Sequence, residues 1–322
     1  MRSMHRSARE PYSFTATIPS SRLHTATRFV FCVNAAAGTG KAPRRLDALL
    51  AARPTLRARS RIVRSSSATD LDAMLRLSDD EVPVAVGGDG SFNALVTMLD
   101  RRGELQRTLG LVPFGTGNAT AHTLGLRSAS VAMAALEGGA TGQIDIMRTS
   151  IPAAPIALVS CSTGFESGFL ARYAAVRYRS KQWAGWSALF MNLPRRISGV
   201  LLALDGQEWV KPTSLVHNVG VYNIPHFAFG KVMWRGMLRD DGLAIAAVVS
   251  TPIWYWNLMA RGITAPTDAL SMGQSLPGVR TMRWQNAEFR AQTRLQIDGE
   301  SIDATSASLV VDPRALTVIR AS

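Results

Sequence analysis

The chain has 322 residues, a length typical of two compact domains rather than one. Hydrophobic residues make up 47% of the sequence, which excludes a disordered chain. The formal net charge of +13 favours anionic partners such as phosphates or lipid headgroups, although an arginine-rich genome would explain it equally well. The sequence has no lysine-rich block and no His/Cys metal spacing, so we expect neither nucleic-acid binding nor a structural zinc. Its two cysteines, Cys32 and Cys161, lie in apolar runs and are expected to be buried thiols in a reducing compartment.

The first 28 residues differ from the rest and are predicted to be a disordered tail. They carry five arginines and many Ser and Thr, with no apolar run long enough for a secretory signal. The segment 242–260 is nineteen residues long and uncharged, which is the length of a membrane span. However, Ser250-Thr251-Pro252 interrupts it. We therefore predict a buried strand at Leu243–Val249 and no membrane span. The expected protein is cytoplasmic, either soluble or peripheral at the inner membrane face.

The front half of the chain alternates between short apolar runs and segments with helical spacing. Such alternation is typical of a parallel sheet with helices on both faces, in which ligands bind beyond the carboxyl ends of the strands. The predicted strands are Phe29–Val33, Arg61–Val63, Val82–Val86 and Leu109–Val112.

Small-residue loops follow three of these strands. Glycine lets the backbone approach a polyphosphate with its N–H groups turned inward. One such loop could be an ordinary turn, whereas three at successive strand ends indicate a phosphate site. Asp89 adds a carboxylate that would either ligate a magnesium ion bridging phosphates or cap the next helix. The loop residues are Asn34 with Gly38 and Gly40; Gly87-Gly88-Asp89-Gly90-Ser91; and Gly115, Thr116 and Asn118.

The second of these loops, continued by Phe92 and Asn93, resembles the GGDGTxN signature of the diacylglycerol kinase catalytic-domain superfamily. Leu111–Ala121 resembles the second signature of that superfamily, a strand that leads into P-x-G-T-x-N. By pattern the chain is similar to the bacterial lipid kinases of this group and to sphingosine and ceramide kinases. The resemblance continues in order through Ile144-Asp145, Gly164-Phe165-Glu166, Asp240-Asp241-Gly242-Leu243 and Asp298-Gly299-Glu300.

The resemblance implies an α/β fold, with an N-terminal doubly wound, phosphofructokinase-like nucleotide domain and a C-terminal β-sandwich domain. On this basis residues 29–146 form the nucleotide-binding domain and residues 147–306 the lipid or substrate domain, with 307–322 returning to the first. The sequence pattern supports this division independently of the resemblance. The alternation of strands and helices ends after Asp145, and short alternating apolar runs such as Leu215–Tyr222 follow.

The resemblance also implies an ATP- and Mg²⁺-dependent kinase with a lipid hydroxyl as acceptor, in which the glycine loops hold ATP. Glu300 is expected to be the general base, and Asp298 to orient a magnesium-bound phosphate. Asp89 and Asp241 are further metal-ligand candidates, and Asp145 is a candidate substrate contact. On its own, Asp298-Gly299-Glu300 would be read as a hairpin turn, since Asp-Gly is a strong turn signal.

Two departures from the pattern concern the acceptor. Ala119 and Ala94 stand where many members of the superfamily have acidic residues, which puts diacylglycerol itself in doubt. Sphingosine kinases are similar to this chain at Ala119, so the change does not argue against kinase activity. A homologue that has lost catalysis and only binds nucleotide or lipid stays open. An NAD kinase also carries Gly-Gly-Asp-Gly, but the later motifs are unlike that family.

An aromatic segment in the middle of the chain permits two interpretations. Trp183 and Trp186, followed by Arg195 and Arg196, are typical either of a helix at a membrane surface or of a helix in the core. The sequence leaves the acceptor, the choice of nucleotide and the oligomeric state open, a homodimer included.

Overall fold

The structure, a computed structural model, describes residues 23, 27–35, 40–115, 117–176, 187–188, 191–227, 231–234, 237, 240–253 and 278–321. Residues 1–22 of the predicted tail lie outside this part of the chain, as do Gly38, Thr116, Trp183 and Trp186.

The first half forms the predicted parallel sheet with its helices. Its strands are β1 (Arg28–Asn34), β2 (Ser60–Ser65), β3 (Glu81–Gly87), β4 (Thr108–Pro113) and β5 (Thr141–Thr149). Its helices are α1 (Ala42–Ala51), α2 (Pro54–Ala58), α3 (Ala68–Met74), α4 (Asp89–Arg101), α5 (Ala119–Thr123) and α6 (Ala129–Gly138). β1 pairs in parallel with both β2 and β3, and β3 pairs in parallel with β4.

The apolar runs of this half form one core. Every residue of β3 is buried, as expected for a central parallel strand. The helix α4 turns Phe92, Leu95 and Leu99 into the same core, and their spacing of three and four residues gives the helix one apolar face.

The second half is mainly antiparallel. Its elements are β6 (Ile156–Ala157), β7 (Ser160–Gly164), α7 (Phe165–Val176), β8 (Leu201–Leu204), β9 (Gln207–Val210), β10 (Asn218–Tyr222), β11 (His226–Phe227), β12 (Lys231–Val232), β13 (Ala244–Val249), β14 (Val279–Trp284), β15 (Asn286–Arg290), β16 (Leu295–Ile297), β17 (Glu300–Ile302) and β18 (Ser306–Ile319). In the described part of the chain, one sheet has the strand order β14-β13-β10-β7-β16-β17. Val219 and Val248 of this sheet share a core with Leu202, Phe289 and Leu309 of the other large sheet. This core between two sheets confirms the predicted sandwich.

β18 connects the two halves. Its last residues pair in parallel with β4, whereas its first residues pair antiparallel with β15. β5 pairs with both parts of β18, and the register shifts between Asp312 and Leu316. The predicted boundary at residue 146 therefore falls inside β5, within a sheet that runs through both halves.

No helix in the described residues is long and apolar enough to span a membrane. The segment predicted as a buried strand at Leu243–Val249 forms β13, whose residues are all buried. Cys32 and Cys161 are buried free thiols, as predicted, and burial raises the pKa of Cys32 to about 12.

Candidate active site

The glycine loops meet at one edge of the parallel sheet. Since β1, β3 and β4 are neighbours that run in the same direction, their carboxyl ends lie side by side. Asn34 ends β1, Gly87 ends β3, and the loop from Gly115 to Asn118 follows β4. Gly40, with φ of +76°, lies just beyond the first of these strand ends.

Two of the loops touch through their glycines. A Cβ atom added at Gly115 would lie 2.4 Å from the Cα of Gly88 and 2.6 Å from Asn118 Oδ1. The N–H groups of Phe114 and Gly115 donate to the Gly87 carbonyl at 2.7 and 3.1 Å. Gly115 is therefore required for loop packing. By contrast, a Cβ at Gly90 would have no atom within 4 Å, so the backbone of α4 is open to a ligand there.

Asp89 joins the same two loops. Its carboxylate accepts the N–H of Ala119 at 3.0 Å and that of Thr120 at 2.9 Å, so it caps the N-terminus of α5. Asp89 was predicted either to ligate magnesium or to cap the next helix. The structure shows a helix cap, but on α5 rather than on α4. Asn118 Oδ1 and Thr120 Oγ1 are buried beside it and have no hydrogen-bond partner within the described residues. Such orphaned polar atoms fit a site that takes a polar ligand.

A histidine pair flanks α5. The rings of His122 and His226 stack with their centroids 6.2 Å apart, and Thr123 Oγ1 lies 3.1 Å from His226 Nδ1. Burial lowers the pKa of His122, and the nearby Asp89 opposes that shift. The sequence does not predict this pair, because the proximity of the two rings depends on β11 folding against α5.

Asn93 connects the glycine-loop helix to the second half of the chain. Its Nδ2 donates to Asp298 Oδ2 at 2.7 Å and to the Ile156 carbonyl at 3.1 Å. The amide orientation is fixed because Thr97 Oγ1 donates to Asn93 Oδ1 at 3.0 Å. Through these bonds α4, the segment before β7 and the Asp298 turn are held together.

Asp298 is surrounded by N–H donors. The backbone N–H groups of Leu158, Val159 and Ser160 donate to it at 2.8, 2.7 and 3.0 Å, in addition to Asn93. Burial raises the pKa of the Asp298 carboxyl, while these four donors oppose the rise by stabilising the carboxylate. With two donors on each oxygen, Asp298 anchors the turn. Its role in orienting a magnesium-bound phosphate stays a prediction.

Asp298 and Gly299 form a two-residue hairpin turn between β16 and β17. Their φ values of +50° and +90° are those of a type I′ turn, and Ile297 pairs with Glu300 across it. The alternative interpretation as a hairpin is therefore correct, and it is compatible with the catalytic one. Glu300 is exposed at the start of β17. Asn93, which holds this turn, lies about 6 Å along α4 from Asp89. Glu300 thus follows a turn that Asn93 holds against the helix of the Gly-Gly-Asp-Gly loop.

Comparison with known families agrees with this geometry. Residues 28–149 match the family model of the diacylglycerol kinase catalytic domain. This part of the chain is therefore similar to diacylglycerol kinase catalytic domains. The matched residues run from β1 to β5 and include every glycine loop, but they end before the Asp298 turn.

Solved structures show that the similarity of fold extends beyond the matched residues. A candidate diacylglycerol kinase from Bacillus anthracis str. Sterne has a TM-score of 0.67 and 18% identity, covering 91% of this chain and 97% of its own. A further diacylglycerol kinase structure from that organism has a TM-score of 0.64 and 16% identity, covering 91% of this chain and 96% of its own. No curated protein matches this chain in sequence.

Asp145, near the end of the matched residues, was predicted to contact substrate. It is buried, and it accepts the backbone N–H of Arg314 at 2.7 Å and that of Gly242 at 2.8 Å. Burial also raises its pKa, opposed by these two hydrogen bonds. Arg314, with φ of +54°, lies in the register shift of β18. Asp145 therefore stabilises the junction between the parallel-sheet half and the sandwich.

The three acids predicted as metal ligands do not come together. Asp241 forms an ion pair with Arg283 and accepts the N–H of Leu243 at 3.2 Å. Asp89 caps α5, and Asp298 anchors the turn. Among the residues that the structure describes, no three His, Cys, Asp or Glu side chains form a group that could hold a metal ion. Metal binding by these side chains stays a prediction.

Proposed function

We propose that this protein transfers the γ-phosphoryl group of ATP to a hydroxyl of a neutral lipid or long-chain base. The observation that carries the proposal is the bond between Asn93 and Asp298, which holds the Glu300 turn against the helix of the Gly-Gly-Asp-Gly loop. Such transfer needs positioning and charge neutralisation more than covalent catalysis, and this contact supplies the positioning.

The glycine loops would hold the nucleotide phosphates. The thirteen-residue α4 begins at Asp89, and its N-terminus contributes a positive potential. Gly90, where a side chain would meet open space, lets the phosphates approach the backbone. The orphaned oxygens of Asn118 and Thr120 would accept hydrogen bonds from the nucleotide. Asn34, Gly38, Gly40, Gly87, Gly88, Ser91 and Thr116 complete the proposed nucleotide site.

Magnesium would arrive with the nucleotide as Mg·ATP. Mg²⁺ usually keeps several waters and binds substrate phosphates rather than a protein cage, which fits a chain whose described acids form no such cage. The ion would neutralise charge on the transferred group.

Glu300 would act as the general base. In the proposed step the acceptor oxygen forms a bond to the γ-phosphorus, the bond to the β–γ bridging oxygen breaks, and the hydroxyl proton passes to the Glu300 carboxylate. The products are ADP and a lipid phosphate. Glu300 suits this role because it is exposed, whereas Asp298 beside it is fully hydrogen-bonded.

A lipid acceptor is supported by exposed apolar residues that precede a pair of arginines. Met191 and Leu193 are 67% and 58% exposed close to Arg195 and Arg196 in sequence, which supports contact with an anionic membrane surface.

The test is Glu300→Gln, with Asp303→Asn as the matched control. Asp303 is an exposed acid on the same hairpin and pairs only at the surface, with Arg294. We expect Glu300→Gln to lower kcat about 100-fold or more while ATP still binds, and Asp303→Asn to behave as wild type. Wild-type transfer that survives in Glu300→Gln would overturn the assignment of the base. Binding of ATP without any transfer by the wild type would instead indicate a homologue that has lost catalysis.

A further inference from the structure

A buried polar network lies beneath the Glu300 turn. Glu166, in the first turn of α7, is buried, and the Tyr222 hydroxyl donates to its Oε2 at 2.7 Å. Asn218 Nδ2 lies 3.4 Å from the Tyr222 hydroxyl, and Asn218 Oδ1 accepts the Glu166 N–H at 2.9 Å. A carboxyl buried in this way is costly unless its neighbours satisfy it, so the network constrains every member.

Gln296 carries the network to the turn. Its Oε1 accepts the Gly299 N–H at 2.8 Å, which fixes the orientation of the amide. Its Nε2 therefore faces the other way and donates to Ser160 Oγ at 3.0 Å and to Ser162 Oγ at 2.8 Å. Gln296 is fully buried, so water cannot replace these bonds.

Gln296 also reaches Glu166 directly, because its Nε2 lies 3.5 Å from Glu166 Oε1. The hydrogen bonds therefore run from the Gly299 backbone through the Gln296 amide to the Glu166 carboxyl. Tyr222 donates to the same carboxyl from the opposite side.

We propose that Glu166 is a positioning residue for Glu300, acting through Gln296 and the backbone of Gly299. This inference rests on the proposed role of Glu300. Asp298 fixes one side of the two-residue turn through the segment Leu158–Ser160, and the Glu166 network fixes the other side through Gly299. The two attachments together set the direction in which β17, and so Glu300, leaves the turn.

The test compares Glu166→Gln and Tyr222→Phe with Glu288→Gln. Glu288 lies on β15, off the network, and accepts from Ser308 at the surface. Hydrogen exchange of the segment 295–302 reports on the Gly299 N–H directly and needs no enzymatic activity. We expect exchange in this segment to rise about tenfold in Glu166→Gln, the factor for one lost hydrogen bond, and less in Tyr222→Phe. Glu288→Gln should match wild type.

Kinetics supply the second readout. Glu166→Gln should lower kcat about tenfold or more and leave the KM for ATP unchanged. In the Glu300→Gln background the same substitution should have no further effect, because a positioning residue acts only through the group it positions. If Glu166→Gln fails to fold, Tyr222→Phe decides the matter by the same measurements. Unchanged exchange at 295–302 in a folded variant would overturn the inference, even if the protein transfers phosphate to no lipid.

Discussion

Asn93 Nδ2 lies 2.7 Å from Asp298 Oδ2, a contact between residues 205 positions apart in the chain. It joins the helix that follows the Gly-Gly-Asp-Gly loop to the turn that presents Glu300. This partly buried contact therefore helps to set the relative position of the proposed nucleotide site and the proposed base.

Removing this contact should separate nucleotide binding from transfer. In Asn93→Ala the Asp298 turn loses its link to α4, so we expect kcat to fall about 10- to 100-fold with little change in the Kd for ATP. Steady-state kinetics and calorimetric titration measure the two quantities. Asn286→Ala, an exposed asparagine on β15, is the control. Equal loss of ATP affinity and kcat would mean that Asn93 serves the nucleotide loop itself.

The glycines of the loops should respond differently from one another. Gly115→Ala places a Cβ 2.4 Å from the Gly88 Cα, so the two loops must move apart, at a cost of about 1–3 kcal/mol in the free energy of unfolding. Chemical denaturation measures this loss. Gly138→Ala in α6 meets no atom within 4 Å and should not destabilise the protein. An equally stable Gly115→Ala would contradict the close packing of the loops.

Gly90→Ala tests ligand approach rather than packing. An alanine in the first turn of α4 should stabilise the fold by about 0.4–1 kcal/mol, because it restricts the unfolded chain. If phosphates approach the backbone there, the same methyl group should weaken ATP binding about tenfold or more. Gly138→Ala should gain similar stability without any change in the Kd for ATP. Unaltered ATP affinity in Gly90→Ala would exclude a phosphate from this part of the loop.

The buried Glu166 should make stability depend on pH. Burial raises its pKa above the usual 4.5, opposed by its hydrogen bonds to Tyr222, Ser162, Asn218 and Ser160. The folded protein then binds this proton more tightly than the unfolded chain does, so the free energy of unfolding falls as pH rises from about 4.5 through the raised pKa. Glu166→Gln has no carboxyl at this position, so this decrease should be absent. Chemical denaturation at several pH values from 4 to 8 measures the free energy of unfolding of both proteins. The value for wild type should fall relative to that of the variant as the pH rises, and a constant difference would contradict a raised pKa.

The front half of the fold could be predicted because its signals are local. Apolar runs such as Val82–Val86 and the glycines that follow them identify strand, loop and helix within about twenty residues. The parallel order of the strands then brings the loops to one edge. The division at residue 146 was less predictable, because β18 pairs with β4, β5 and β15 through contacts distant in sequence.

The roles of the carboxylates were the least predictable part of the site. Asp145, Asp241 and Asp298 each lie in a segment that resembles a family motif. In the fold, however, their carboxylates accept hydrogen bonds from backbone N–H groups or pair with an arginine. A carboxylate that binds a metal and one that anchors a turn look the same in one sequence, since the donors that distinguish them come from remote segments. Gln296 carried no signal at all, for the same reason.

The most direct test of the account is transfer of label from γ-labelled ATP. Purified protein is incubated with magnesium and a total lipid extract, alongside Glu300→Gln and Asp303→Asn, and the organic and aqueous phases are separated. The account predicts a labelled lipid in the organic phase with wild type and Asp303→Asn, and none with Glu300→Gln. An unlabelled organic phase with wild-type protein that binds ATP would contradict the lipid acceptor.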